Sequence, residues 1–564
     1  MPVVKVRLST LSKSFPHIQL KEIVEKLPYI GLDIEGIDEG DGIIRVEFNP
    51  NRPDYASENG ILRALRGLFE MEVGLPIIKN VEESDYVINV DETVADIRPI
   101  IYGFVAKRQY SLDEYEITQL ISMQEDLHNG IGRKRKKTSI GLHNLDPIVF
   151  PLNYTTVPKN FSFIPLDTQN EFTIEQILTN LDVGKDYGYI INDSDKFPLL
   201  FDSQKNVLSL PPIVNGNLTR ITLDTKNLLI EVTSTSGKSA HDVLSILSFE
   251  LYDMGFKIYS IQINSPFDGR SETPILDPLK MMVPAGYINK ILGLELSNRE
   301  LIKCLEKSRC SGKILENGIE CFIPRYRVDI FNPIDISEEV AIGYGIYRFD
   351  TSSPSLYFSG KKHINSMIFN SIREILVGLG FLEIINTNII SRKTVDDFFI
   401  KNDDDDSNII SIGDSKNSEF EILRNSIIPS MMITLSKNIH EKYPQKLFEI
   451  GKTFQIQNSK IKEEWSLGVV IAHNNTDYSE IKSVLESLIK YCFNKHIKTP
   501  HFNFEYYLKG HSAKILLNEN DIGNIGEVYP QVLENFKLRT LVSTFQINLD
   551  SLMELLHLKK IKYL

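Results

Sequence analysis

At 564 residues the chain is long enough for about three to five domains of roughly 100–200 residues each. Its 42% hydrophobic and 24% charged residues describe a globular protein that needs no disulfide staples. A net charge of −13 excludes a uniformly basic nucleic-acid coat but leaves room for a local basic patch.

In chain order, residues 1–80 read as a small α/β module. The run LKEIVEKLPYIGLDIEGI gives a helix and then a strand, IIRVEFNP a second strand, and residues 49–54 a turn rich in chain breakers. Ser57 is placed to cap a helix with an apolar stripe of Ile61, Leu62, Leu65, Leu68 and Phe69. The acidic stretch 81–97 is a linker or an entry strand. A mixed α/β domain follows to about 262, with strands in IIYGFVAKR, FPLLFD and NLLIEVTSTS and a helix in SAHDVLSILSFELYDMG that ends near Gly255. SETPILDP (271–278) reads as a linker. Residues 273–350 form a small helical, winged-helix-sized module. It has helices at AGYINKILGLEL and NRELIKCLEKSR, a hairpin return at GKILENGIECFIPRYR and a last helix at ISEEVAIGYG. Residues 355–564 alternate again: helix HINSMIFNSIREILVGLGF, strand LEIINTNII, helix PSMMITLSKNIHEKY and strand WSLGVVIAH. The Asp-rich run at 401–407 reads as a solvated loop.

Several chemistries drop out. Cys304, Cys310, Cys321 and Cys492 lack the paired CxxC spacing of a zinc site and read as free thiols of a reducing cytosol. Gly237-Lys238-Ser239 ends like a P-loop, but Val232 stands where its upstream glycine belongs. No GxGxxG, GxSxG or HExxH is present. No apolar run spans a bilayer and the N-terminus has no apolar leader, so neither a membrane span nor a secretory signal is expected.

Four constellations remain, each with two readings. Asp335, Glu338 and Glu339 fall at i, i+3 and i+4 of a helix start, within reach of Asp329. They are either an all-oxygen set for Mg²⁺ or a capping box in which Asp335 caps and Glu338 reaches back. The cations 133–137, beside Gln124 and Glu125, are a phosphate-backbone contact or a solvated loop. Glu231, Thr233 and Thr235 alternate along one strand, after Leu199 and Ser209. They line a pocket able to hold an amino group or orient a water, or form an exposed strand face. KLFEIGKTF, with Glu449, is a buried strand with one acid.

Together these segments resemble the phenylalanyl-tRNA synthetase β subunits of the archaeal and eukaryotic type. The resemblance runs in order through VEFNPNRPDYASENGILRALRGL, RPIIYGFVAKR, MQEDLHNGIGRKRKK, VLSLPPIVNG and LLIEVTSTS. It continues through Arg327 to Tyr347 and then ILRNSIIPSMM, KLFEIGKTF and IGEVYPQVLENF. It implies an α+β multidomain protein: an N-terminal α/β module (1–80), a mixed α/β editing domain (85–262), the small helical module with a metal site (273–350) and a class II synthetase-like antiparallel-sheet domain (355–564). It implies Mg²⁺ at Asp329, Asp335, Glu338 and Glu339. It also implies an editing site with Glu231 and Thr233 as catalytic candidates and Gln124, Glu125, Arg135, Leu199 and Ser209 as pocket residues. Relatives often carry Asp where this chain has Glu231. An editing step has a physical motive, because an apolar phenylalanine pocket rejects tyrosine's added hydroxyl by only about 100-fold.

Phe448 precedes Glu449 where the active class II fold carries an ATP-binding arginine, and no arginine-ending third motif follows. The chain is therefore expected not to activate phenylalanine itself. It is expected to pair with a catalytic α subunit in a cytoplasmic α₂β₂ heterotetramer that uses ATP and tRNA(Phe). The bacterial family's N-terminal OB-type and C-terminal anticodon-binding domains are not expected here. A free-standing deacylase of mischarged tRNA and a non-enzymatic nucleic-acid-binding scaffold are the competing readings; the long C-terminal domain argues against the first, the pocket strand and basic loop against the second.

Overall fold

A computed structural model describes all residues except Met1, Glu39, 79–80, 192–194, Ser352, 354–358, 401–408, Asp414, Lys416, Asn458 and 559–564. The aspartate run at 401–407 therefore lies outside the described residues. The chain divides into two compact units, Met1–Ser352 and Ser353–Leu564.

The first unit opens with an antiparallel sheet of β1 (Val3–Arg7), β2 (Leu32–Asp38) and β3 (Ile43–Phe48), in the order β1-β3-β2. The breaker-rich turn then delivers helix α1 (Glu58–Leu68). Ser57 caps it as expected, its hydroxyl accepting from the Gly60 N–H, and Ile61, Leu62 and Leu65 are buried.

A ten-stranded sheet follows. It is built from β4 (Val87–Val90), β5 (Ile100–Lys107), β6 (Thr138–Asn144), β7 (Leu152–Pro158), β8 (Lys196–Phe201), β9 (Val207–Leu210), β10 (Val214–Asn215), β11 (Asn227–Ser234), β12 (Lys257–Ser265) and β13 (Gly269–Thr273). Helices α2 (Glu114–Asn129) and α3 (Gly237–Asp253) belong to the same region. The order is β10-β9-β8-β7-β4-β12-β5-β11-β6, with β13 on β12. The acidic stretch thus supplies an entry strand, β4, parallel to both β7 and β12. The sheet curls until its ends meet: Ser209 on β9 donates to Glu231 on β11 at 2.8 Å, and Asn215 on β10 donates to the Leu142 carbonyl on β6 at 3.3 Å. That curl makes a cavity out of a sheet face, and β11, read from pattern alone as open to an exposed face, is buried from Leu228 to Ser234. The expected linker 271–278 begins as strand, because Ser271, Glu272 and Thr273 complete β13 against β12.

The unit closes with β14 (Leu279–Pro284), α4 (Tyr287–Leu292), α5 (Asn298–Lys307), β15 (Ser311–Leu315), β16 (Gly318–Ile323) and α6 (Pro333–Tyr344). The expected hairpin is β15–β16. The sequence reading missed β14, which pairs antiparallel with β16, so three helices pack on a three-stranded sheet. Six residues ending at a proline gave too short a period to be read as a strand.

The second unit contains α7 (Ile364–Gly378), β17 (Leu382–Glu383), α8 (Arg392–Phe399), α9 (Ile428–Lys437), β18 (Gln445–Gln457), β19 (Lys460–Ala472), α10 (Tyr478–Phe493), β20 (Tyr507–Leu517), β21 (Asn520–Val528) and β22 (Val542–Asn548). The sheet order is β17-β18-β19-β22-β21-β20, antiparallel except for β17 against β18. The strand expected over LEIINTNII shrinks to two-residue pairings at Leu382–Glu383 and Ile389–Ile390. Ile385 between them is 90% exposed, so no packing holds that stretch extended. No described helix is long and apolar enough to cross a membrane.

Candidate functional site

Helix α2, the curled ends of the sheet and the loop around Pro211-Pro212 enclose a cavity of about 420 Å³. Ligand pockets of about 300–1,000 Å³ are the usual size for small molecules. Gln124, Glu125, Arg135, Ser209 and Glu231 all line it. The structure brings together five of the seven residues expected there.

The floor is built by β9, β6 and β11. Glu231 is 2% exposed; one carboxyl oxygen accepts from Ser209 Oγ, and the other is buried with no partner. Across from it His143, fully buried on β6, approaches Glu231 Oε1 to 3.9 Å through Nε2, which is also without a hydrogen bond. The His143 Nδ1 meets the Thr219 hydroxyl at 2.7 Å. Gly141 explains the gap between them. It pairs with Glu231 across β6 and β11, and a Cβ there would lie 2.5 Å from Glu231 Oε1 and 2.6 Å from His143 Nε2. The gap over Gly141 therefore lies between the Ser209-bound Oε1 and an unsatisfied imidazole nitrogen, while Glu231 Oε2 is buried without a partner. Unpaired buried polar atoms cost about 1–3 kcal/mol each, so a hydrogen-bonding guest is favoured.

The wall is built by α2, started by a reciprocal Asp113–Glu116 capping box. Gln124 donates to the Ile140 carbonyl at 2.8 Å. The Ile140 N–H donates to His128 Nε2 at 2.9 Å, which leaves Nδ1 to carry the proton and donate to Glu125 at 3.1 Å. Burial lowers the His128 pKa, so the ring is neutral at pH 7. The His128 hydrogen bond and then Arg135 draw Glu125 down to about 2, against the cost of its burial. Arg135 also donates to the Ile213 carbonyl at 3.0 Å and lies 4.2 Å from the Tyr187 ring centroid.

Two expected residues lie elsewhere. Leu199 is fully buried in the apolar cluster with Phe163, Ile177 and Phe197, and does not line the cavity. Thr233 shares the Glu231 face, but its hydroxyl accepts from Arg98 Nε at 2.9 Å and it too is away from the cavity. Arg98 is 1% exposed; it also binds the carbonyls of Thr233, Arg135 and Lys136, and burial lowers it to about 10. It therefore stays charged at pH 7 and pins the basic loop. In that loop Arg133, Lys134 and Arg135 adopt left-handed φ values of 49°, 54° and 64°, turning Arg135 inward. Arg133, Lys134 and Lys136 point outward, exposed and without an ion pair among the described residues. Sequence reasoning missed Gly141, His143, Thr219 and Arg98. Arg98 opens the RPIIYGFVAKR run, but Gly141, His143 and Thr219 lie outside the quoted segments, and the pairing of β6 with β11 sets the first two beside Glu231.

The four acids of the expected metal set gather at the start of α6. Asp329 accepts from Arg327 at 2.9 and 2.7 Å, and Glu339 pairs with the same guanidinium. Asp335 is not the cap. Asn332 is, and Asp335, three residues on, accepts from the Phe331 and Asn332 N–H groups at 2.7 Å each. Glu338 takes no part in that box. Partial burial, then repulsion from Glu339, Asp329 and Asp335, raise its pKa. The all-oxygen donor set fits a hard divalent cation, although no three acids among the described residues converge as ligands in this arrangement.

In the second unit Phe448 is fully buried, and Glu449 pairs at 2.7 Å with Arg424, each 1% exposed. The Asn386 side chain adds a bond to Glu449 at 2.8 Å.

Residues 350–549 match the model of the phenylalanyl tRNA synthetase beta chain CLM domain, and residues 281–346 match that of the tRNA synthetase B5 domain. The phenylalanine–tRNA ligase beta subunit of Methanocaldococcus jannaschii is 37% identical over 562 residues, covering 98% of this chain and all of the relative. That of Archaeoglobus fulgidus is 36% identical, covering 94% of this chain and 95% of the relative. Among solved structures, an N-terminal fragment of the phenylalanyl-tRNA synthetase β subunit from Pyrococcus horikoshii matches with a TM-score of 0.58 and 33% identity, over 61% of this chain and 99% of the fragment. The chain belongs to the family of phenylalanine–tRNA ligase β subunits.

Proposed function

We propose that this chain is the β subunit of a cytoplasmic phenylalanine–tRNA ligase that, with an α subunit in an α₂β₂ heterotetramer, attaches phenylalanine to tRNA(Phe) at the expense of ATP and hydrolyses mischarged Tyr-tRNA(Phe). One observation carries the hydrolytic half: the cavity is lined by Glu231, which is buried and keeps one carboxyl oxygen without a partner. Glu231 accepts a hydrogen bond from the bound aminoacyl group and holds it while water adds to the ester carbonyl. The carbonyl–ribose oxygen bond breaks and the ribose oxygen leaves with a proton. Ser209 fixes the Glu231 rotamer, Gln124 and the Glu125–His128–Arg135 chain hold the wall, and Thr233 acts through Arg98 rather than on the substrate. The exposed cations Arg133, Lys134 and Lys136 are suited to the phosphate backbone of the tRNA.

Residues 1–80, 85–262, 273–350 and 355–564 are assigned, respectively, to an N-terminal module, the editing domain, the small winged-helix-like module and a class II synthetase-like domain. In the last, a buried Phe448 offers no charge to a triphosphate and Arg424 is spent on Glu449, so phenylalanine activation falls to the α subunit. Mg²⁺ is assigned to Asp329, Asp335, Glu338 and Glu339; when bound it would neutralise their mutual repulsion and brace the start of α6. The test is reconstitution: aminoacylation by the chain with its α partner and none by the chain alone, with hydrolysis of Tyr-tRNA(Phe) by the complex. Aminoacylation by the chain alone contradicts the division of labour, and absence of hydrolysis by the complex contradicts the editing role.

A further inference from the structure

The second unit holds a cavity of its own, about 530 Å³, on the face of its six-stranded sheet. Its walls are of two kinds. On one side Phe398 and Phe399, at the end of α8, and Tyr506, just before β20, form a cluster with ring centroids 5.0 to 5.2 Å apart. On the other stand the side-chain amides of Asn425, Gln455, Gln457, Asn524 and Gln546. No carboxylate is among the described lining residues, and the lining cation, Lys462, is bound to Glu464 at 2.8 Å.

The amides are oriented. Gln546 Oε1 accepts from Ser426 Oγ at 2.7 Å and from the Ile427 N–H at 3.0 Å, so its Nε2 is left as a fixed donor. Asn524 Oδ1 accepts from the Tyr507 hydroxyl at 2.9 Å, which fixes its Nδ2 likewise. Asn425 Oδ1 is buried with no hydrogen-bond partner. The pocket therefore presents positioned donors and an unsatisfied acceptor beside an aromatic wall, with no unpaired charge. An anion finds no unspent cation there, a cation finds no acid, and an aliphatic guest strands the amides. A neutral planar heterocycle satisfies both walls, its face on the rings and its edge on the amides.

We propose that this cavity binds a nucleobase, adenine foremost, because a side-chain amide matches the paired N6 donor and N7 acceptor of that base. The base is supplied by a free nucleoside or by an unpaired residue of an RNA strand. This goes beyond the functional reading above, which gives the second unit no ligand, and it does not depend on hydrolysis.

The experiment is calorimetric titration of the full-length chain with adenosine, with D-ribose as control and a short single-stranded oligoribonucleotide ending in adenosine as a second arm. Adenosine is expected to bind below about 1 mM, and ribose not at all. Asn425→Ala and Gln455→Ala remove amides that make no hydrogen bond within the described residues, so the fold is expected to survive, checked by Tm. Each is expected to weaken binding about 5-fold, and the double variant about 25-fold. Variant-sensitive binding of the oligonucleotide alone identifies an RNA base as the source, and sensitive binding of both probes identifies the free nucleoside as sufficient. Binding of neither probe, equal binding of ribose, or adenosine binding unchanged in the double variant overturns the proposal.

Discussion

Glu231 is anchored through Oε1 and keeps Oε2 without a partner, and Gly141 leaves room beside the anchored oxygen. Gly141→Ala puts a methyl group into the hollow at 2.5 Å from Glu231 Oε1, so the carboxyl group must turn away. Because a displacement of about 1 Å costs on the order of 100-fold in a positioned reaction, hydrolysis of Tyr-tRNA(Phe) by the variant complex is expected to fall at least about 10-fold, with phenylalanine charging unchanged. Steady-state deacylation kinetics check it. Unaltered hydrolysis would remove the hollow from the site. The wall residues give a pH dependence. Glu125 titrates near 2 in the fold against an ordinary 4.5, so its stabilising contribution is complete above pH 4.5 and is lost as pH falls toward 2. The His128 pKa is depressed below 6.5, so its contribution is present above pH 6.5 and is lost as pH falls below that value. Both signs agree: the Tm of the chain is expected to decline on acidification from pH 7 toward 4, and the decline between 7 and 5 to flatten in His128→Gln. A Tm that rises on acidification would contradict the neutral-histidine assignment.

At the scale of elements, the loop between α2 and β6 carries the exposed cations assigned above to the tRNA backbone. Arg133→Ala, Lys134→Ala and Lys136→Ala together are expected to weaken tRNA binding and to lower the slope of log affinity against log salt by about 2 to 3. Filter binding over a salt series measures it, and an unchanged slope would make the loop a merely solvated one. At the start of α6, Mg²⁺ is expected to raise the Tm of the wild type, with the half-effect shifted to about 10-fold higher Mg²⁺ in Glu338→Gln. Equal responses in both proteins would remove Glu338 from the ligand set. These two elements were legible as sequence, since a cation run and acids at i, i+3 and i+4 need no tertiary information. So were β11 and the stripe of α1, whose periods of two and 3.6 are local. The hollow was not legible. Its glycine and its histidine come from β6, which pairs directly with β11, and the Thr219 that orients the histidine comes from the 217–219 turn; a strand pairing between distant segments is not written in either strand's own pattern. Thr233 and Leu199 illustrate the reverse case. Pattern placed them near the pocket strand, but a buried Arg98 takes the hydroxyl of one and the apolar core takes the other. The cap of α6 moved from Asp335 to Asn332 because a cap and its N3 partner are told apart by backbone geometry rather than by residue type.

For the molecule as a whole, the chemistry divides between the two compact units. The first carries the cavity with the half-paired Glu231, the exposed cations and the acid cluster. The second carries a buried Arg424–Glu449 pair, together with an amide-lined cavity. On the proposed reading the first unit removes a wrong amino acid and activation is left to the partner. The measurement that tests this most directly is deacylation of preformed Tyr-tRNA(Phe) by the αβ complex, wild type against Glu231→Ala, with phenylalanine charging followed in parallel. A fall in hydrolysis of at least about 100-fold with undiminished charging is the predicted result. Equal hydrolysis by the two proteins, or loss of charging together with hydrolysis, would contradict it.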